Sequence, residues 1–170
     1  DDDKNVYLVS SSSIEPFMGT LYDFAESGTF PSVTSATITD VKVDKENSYE
    51  LTQDADNLFW NVSDGKTTEK ADTTKAGTVT SAIGSLTYDK FVDYNCTDDS
   101  KYGFDDPYAV ITVKYTEDEQ ETQTVEKTLT IYVGDETGDD RYVKVDDSKE
   151  VYTITKDSLT DILDSTMSDF

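Results

Sequence analysis

Ala109-Val110-Ile111-Thr112-Val113-Lys114-Tyr115 and Val125-Glu126-Lys127-Thr128-Leu129-Thr130-Ile131-Tyr132-Val133 decide the fold. In the first stretch Ala109, Ile111, Val113 and Tyr115 fall on one face of an extended chain. In the second, Val125, Leu129, Ile131 and Val133 do the same, and Lys127 interrupts them in the manner of an edge. Between the two, Glu117 to Glu121 is a run of four acids and one glutamine, the composition of a solvated hairpin tip. Alternating runs joined this way predict an antiparallel hairpin.

Downstream, strands are expected at 141–146 and 150–154. A helix from about 156 to 165 then turns Leu159, Ile162 and Leu163 inward. Upstream, 72–84 reads as a helix capped by Asp72, with Ala76, Val79, Ile83 and Leu86 on one stripe. Its threonines, Gly77 and Gly84 weaken it by propensity. The stretch 87–107 reads mostly as loop. Nearer the N-terminus, Ala36 and Ile38 alternate in one phase, Val41 and Val43 in the other. A bulge between 38 and 41 brings both pairs to the same face. Tyr49 and Leu51, then Leu58, Trp60 and Val62, continue as strands separated by turns at Asp54–Asn57 and Ser63–Lys66.

The class expected is therefore α+β: a mainly antiparallel β-sheet built of β-meanders, with two or three helices packed on one face. Before it, 5–10 reads as a short strand and 14–26 as a helix, with Ser13 as cap, Pro16 in the first turn and Gly28 at the end.

Composition limits the chemistry. The 170 residues carry 37 acids and 14 bases, a formal charge of −23. Such a surface resists non-specific association. With Arg141 as its only arginine, it offers no basic cluster for nucleic acid or an anionic membrane. There is no histidine, which removes the commonest general base and zinc ligand. Serine nucleophiles thus lack their usual partner, and Cys96 is flanked by Asp93, Asp98 and Asp99, which disfavour a thiolate. One cysteine permits no disulfide within the chain. No apolar run approaches the ~20 residues that span a bilayer. Aromatic residues make up 11%, enough bulk for a folded core and against an acidic disordered chain. The expectation is a chain that is not an enzyme and holds no cofactor.

The two ends of the chain match. Lys4-Asn5-Val6-Tyr7-Leu8-Val9-Ser10-Ser11-Ser12-Ser13-Ile14 aligns without a gap on Lys149-Glu150-Val151-Tyr152-Thr153-Ile154-Thr155-Lys156-Asp157-Ser158-Leu159. Both read as strand followed by capped helix. Tandem repetition follows: residues 1–32 as the C-terminal strand and helix of a preceding repeat, and 33–170 as one whole unit. The opening Asp1-Asp2-Asp3-Lys4 reads as a cut end, with any anchor or export signal upstream.

The segment Tyr102-Gly103-Phe104-Asp105-Asp106-Pro107, the strand after it, Leu129-Thr130-Ile131-Tyr132-Val133-Gly134, Tyr142-Val143-Lys144-Val145 and Val151-Tyr152-Thr153-Ile154 occur in this order. That order resembles the bacterial family of domain of unknown function 4340 (DUF4340), over roughly 35–165. Phe104 stands where the family usually has Leu. The resemblance implies an extracytoplasmic protein at the cell surface, anchored by an N-terminal segment outside this chain. It also implies genes close to ABC transporters of the gliding-motility type. The family carries no assigned catalytic residues, so none transfer. The function expected is a non-catalytic binding or scaffolding module whose partner is a protein, a transporter or envelope component. The alternative is a surface adhesin or carbohydrate-binding module.

Candidate sites are few. Asp135, Asp139 and Asp140 lie in a run that suits a hairpin turn; weak calcium binding is the other reading of these acids. Asp54 to Asn57 has a faint calcium-loop pattern, but Phe59 stands where an EF-hand needs glycine. Trp60 with Phe59 and Tyr49 could form a sugar-stacking platform, although the phase of Trp60 favours the core. Tyr94, Tyr102 and Tyr108, in a loop-rich stretch, are the expected contact surface. Gly103 is expected at positive φ, and Pro107 at the start of a strand.

Overall fold

The computed structural model describes residues 8–19, 28–120 and 123–170. Strands β1 (Ile38–Asp44), β2 (Tyr49–Gln53), β3 (Trp60–Ser63) and β4 (Thr68–Lys70) form a first meander. Helix α2 (Thr73–Gly84) follows, then a short strand β5 (Phe91–Asp93). Strands β6 (Ala109–Gln120), β7 (Gln123–Thr137), β8 (Asp140–Val145) and β9 (Val151–Thr155) form a second meander, which ends in helix α3 (Lys156–Leu163). A single turn, α1 (Ser11–Ile14), precedes them all. The strands make one nine-stranded sheet in the order β4-β3-β2-β1-β6-β7-β8-β9-β5. Every pairing is antiparallel, and β1 against β6 joins the meanders.

Register explains the core. Val62, Leu51, Val41, Val113 and Leu129 stand in one row across five strands. Val43, Ile111, Ile131 and Val145 form the next. All are buried. Against these rows α2 lays Ala76, Val79 and Ile83, and α3 lays Leu159, Ile162 and Leu163. Each large apolar side chain buried this way contributes roughly 1.5–3 kcal/mol. Asp72 caps α2 by accepting from the amides of Thr74 and Lys75. Thr155 caps α3 through Ser158.

The expected bulge is present: the β1–β6 register shifts between Ile38 and Asp40, so Ile38, Val41 and Val43 all face inward. The two meanders are also tied through α3. Tyr49 donates its hydroxyl to the carbonyl of Ile162 at 2.8 Å. Lys45 donates to the carbonyls of Leu163 and Ser165 at the helix end, where a cation complements the helix dipole.

Several details depart from the sequence reading. Leu58 is exposed at φ 59° and belongs to the turn before β3. Ala36 lies in a 3-10 turn, not in β1. Ser13 lies inside the turn α1, whose N-cap position is Ser10, with no side-chain capping bond. The strand expected at 5–10 and the helix at 14–26 lie largely outside the described residues. Edge strands β4 and β5 were hidden by their shortness and by the absence of apolar alternation in Thr68–Lys70. Short charged edges of this kind discourage pairing with another sheet. Lys127 lies on a local edge: among the described residues β8 pairs with β7 over 131–137, and Lys127 is beyond that stretch. It pairs with Tyr115, which β1 still reaches through Ile38, and it meets Glu117 where β6 and β7 begin to run on as a two-stranded arm.

Candidate binding groove beneath the 94–108 loop

The helices cover one face of the sheet. Part of the other face is covered by the loop after β5. Asp98 starts a 3-10 turn (Asp99–Tyr102) by accepting from the Ser100 amide and hydroxyl. Gly103 ends it at φ 77°, a conformation that costs a residue with a Cβ but not glycine. The amide of Cys96 donates to Lys149 O at 2.8 Å and stitches the loop to the β8–β9 turn. Cys96, Tyr102, Phe104 and Val151 form a second buried cluster here, with Val92, Tyr132 and Tyr142 packed against it.

Tyr102 is therefore not a contact residue. It is 3% exposed, its ring meets Tyr142 edge-on at 5.0 Å, and its hydroxyl donates to Asp93 at 2.9 Å. A loop laid on a sheet must bury something against it, and the tyrosine that closes the 3-10 turn points that way. The Asn95 amide, the Tyr102 hydroxyl and nearby Lys101 hold the Asp93 carboxyl below the usual range. Tyr94 and Tyr108 are exposed, but they do not join Tyr102 in one surface. Tyr108 lines a small pocket of about 210 Å3 against α3.

The loop and the strands leave an open groove of about 610 Å3, lined by Cys96, Asp99, Phe104, Tyr132, Lys144 and Lys149 among others. Lys144 is central to it. Its ammonium bonds Asp99 at 2.7 Å and sits over the rings of Phe104 and Tyr132, at 5.1 and 5.4 Å. The sequence reading missed Lys144, because an outward lysine between Val143 and Val145 is what any half-exposed strand shows. Only the loop folding over it makes it the cation of a groove.

On the other side of the same junction, the β7–β8 register shifts between Val133 and Glu136. Arg141 bridges this irregularity. It donates to Gly134 O at 3.0 Å and to Glu136 at 2.7 Å, and it stacks on Tyr108 at 3.6 Å. Lys156 reaches the second oxygen of Glu136 at 3.3 Å.

The candidate calcium acids do not converge. Asp140 is spent on Lys90 at 2.7 Å and Thr153 at 3.2 Å, and the lysine hydrogen bond lowers its pKa. Asp135 lies against Gly103, and the Asp139 carbonyl receives the Lys156 amide. Among the described residues no cluster of three or more histidine, cysteine or acidic side chains could hold a metal ion. The carboxylate of Asp54 accepts from the Asp56 and Asn57 amides within its turn. Of the aromatic platform, Trp60 and Tyr49 are core, and Lys70 covers the ring of Phe59 at 3.8 Å.

Taken together, the fold defines an α+β protein with one long antiparallel sheet, two helices on its inner face and a groove-forming loop on its outer one. The chain belongs to the DUF4340 family, a domain of unknown function whose sequence profile matches residues 1–107 and again 60–170. No curated protein and no solved structure matches it. Among the described residues, no helix is long and apolar enough to cross a membrane.

Proposed function

We propose that the protein is a non-catalytic, extracytoplasmic binding or scaffolding module of a membrane-tethered bacterial protein, working with an ABC transporter of the gliding-motility type. The observation that carries the binding role is the groove: the Tyr102-Gly103 segment is spent on building an open surface around Lys144. An open groove lined by both acids (Asp99, Asp146, Asp147) and lysines (Lys144, Lys149) suits an extended segment of a protein partner, in which a carboxylate can compete for Lys144. The location and the transporter rest on the family resemblance. A strongly acidic surface also favours partners with basic patches and speeds their encounter.

The test is cross-linking and co-purification of the tagged full-length protein from membranes of its own bacterium. Recovery of a transporter component is expected, together with its loss in a Lys144→Glu, Lys149→Glu variant. Membranes that yield no transporter component overturn the transporter role. Binding on a glycan array, in place of protein recovery, would assign the groove to a carbohydrate-binding surface adhesin instead.

A further inference from the structure

The matching ends of the chain start helices at the same aligned position. Ser10, the N-cap of α1, has φ −59° and ψ 135°; Thr155, the N-cap of α3, has φ −63° and ψ 141°. The alignment continues past the stretch that reveals it. Ile14 corresponds to Leu159, Phe17 to Ile162 and Met18 to Leu163, apolar in every case.

Burial is where the ends part. In the C-terminal stretch Ile154, Leu159, Ile162 and Leu163 are 0%, 1%, 0% and 5% exposed. Their counterparts Val9, Ile14, Phe17 and Met18 are 61%, 43%, 79% and 75% exposed. An apolar face of this kind is the pattern of an element whose cover is elsewhere. The C-terminal copy shows what that cover is. β9 is held between β8 and β5, and α3 lies against α2 and the inner rows of the sheet.

We infer that residues 8–18 are the closing strand end and helix of a preceding unit of this fold in the same polypeptide, docking against its sheet as β9 and α3 dock here. A second copy of this chain is not the occupant. Its corresponding place is already filled by its own β9 and α3, and a charge of −23 on each copy opposes self-association. Gly28 lies against the body: a Cβ there would stand 2.5 Å from the Tyr152 hydroxyl. Phe30 then packs edge-on against Tyr88 at 5.2 Å. The protein on this reading is a tandem array in which each unit's last helix is joined through residues 19–37 to the next unit's first strand.

The experiment is amide hydrogen exchange by mass spectrometry on the natural full-length protein and on residues 1–170 alone. In the full-length protein, peptides covering 8–18 are expected to exchange ~100-fold more slowly than in 1–170, approaching those covering 153–163. A Phe17→Asp, Met18→Asp variant is expected to lower the Tm of the full-length protein and leave that of 1–170 unchanged. Equal, fast exchange of 8–18 in both proteins overturns the inference. So does protection that grows with the concentration of 1–170, which would make the occupant a second copy, or a natural chain with no such unit before Asp1.

Discussion

Gly134 lies so close to the carbonyl oxygen of Tyr102 that no side chain fits between them. One residue further along each segment, Gly103 meets Asp135, where an added Cβ would stand 2.6 Å from the carboxyl carbon. The two glycines of the family's sequence pattern thus form a single interlock between the 94–108 loop and β7. The groove around Lys144 rests on that contact.

Gly134→Ala should therefore destabilise the protein by about 1–3 kcal/mol, the usual cost of overpacking, because backbone rather than a flexible side chain blocks the new methyl. Gly77 is the control. It sits in α2 with open space around it, so Gly77→Ala should raise stability by about 0.5–1 kcal/mol through helix propensity. Urea unfolding midpoints with unchanged slopes check both.

Arg141→Lys should cost about 1–3 kcal/mol, although the charge is kept. The guanidinium reaches Gly134 O and Glu136 at once and stacks on Tyr108, and an ammonium cannot hold that planar set. Tyr108→Ala should cost less, about 0.5–1 kcal/mol, as expected of a cation–π contact near the surface. In the Arg141→Lys background most of that loss should vanish, which a double-mutant cycle by urea denaturation would read.

Lys144 and Asp99 form the groove's ion pair, with side chains 15% and 48% exposed. Solvent reaches the carboxylate, so the coupling in a Lys144→Ala, Asp99→Ala cycle should be only about 0.5–1 kcal/mol. It should shrink between 0.05 and about 1 M salt as screening tightens. A coupling that ignores salt would contradict this account of the pair.

Stability should be flat from about pH 5 to 9, since no imidazole titrates there. The carboxyls of Asp140 and Asp93 are held below their unfolded value, by Lys90 and by the Asn95 amide respectively. Their contribution is complete above about pH 4 and is lost as pH falls through the folded values. Burial raises the Tyr49 hydroxyl above the usual tyrosine value, and burial with the Glu150 hydrogen bond raises Tyr152 to about 12. Their contribution is complete below about pH 10 and is lost as pH rises through the folded values. Urea midpoints across pH should show both limbs, and Asp140→Asn should flatten the acid one.

Much of this architecture is legible in the chain itself. Val41, Val43, Ile111, Val113, Leu129 and Ile131 show their shared face by period, because the buried face of a pleated strand must repeat every second residue. The bulge at Thr39 shows as a slip in that period, and α2 shows by its Asp72 cap and its stripe. These are local properties, set by neighbours along the chain. The match of Lys4–Ile14 with Lys149–Leu159 is likewise visible in the chain alone. That Tyr102 is buried, that Lys144 becomes the cation of a groove, and that Gly134 packs on the Tyr102 carbonyl while Gly103 packs on Asp135 follow from the tertiary structure alone. It alone separates the covered Leu159 and Ile162 from the bare Ile14 and Phe17. Each of these depends on which distant segment folds over the residue, and no period along the chain records that.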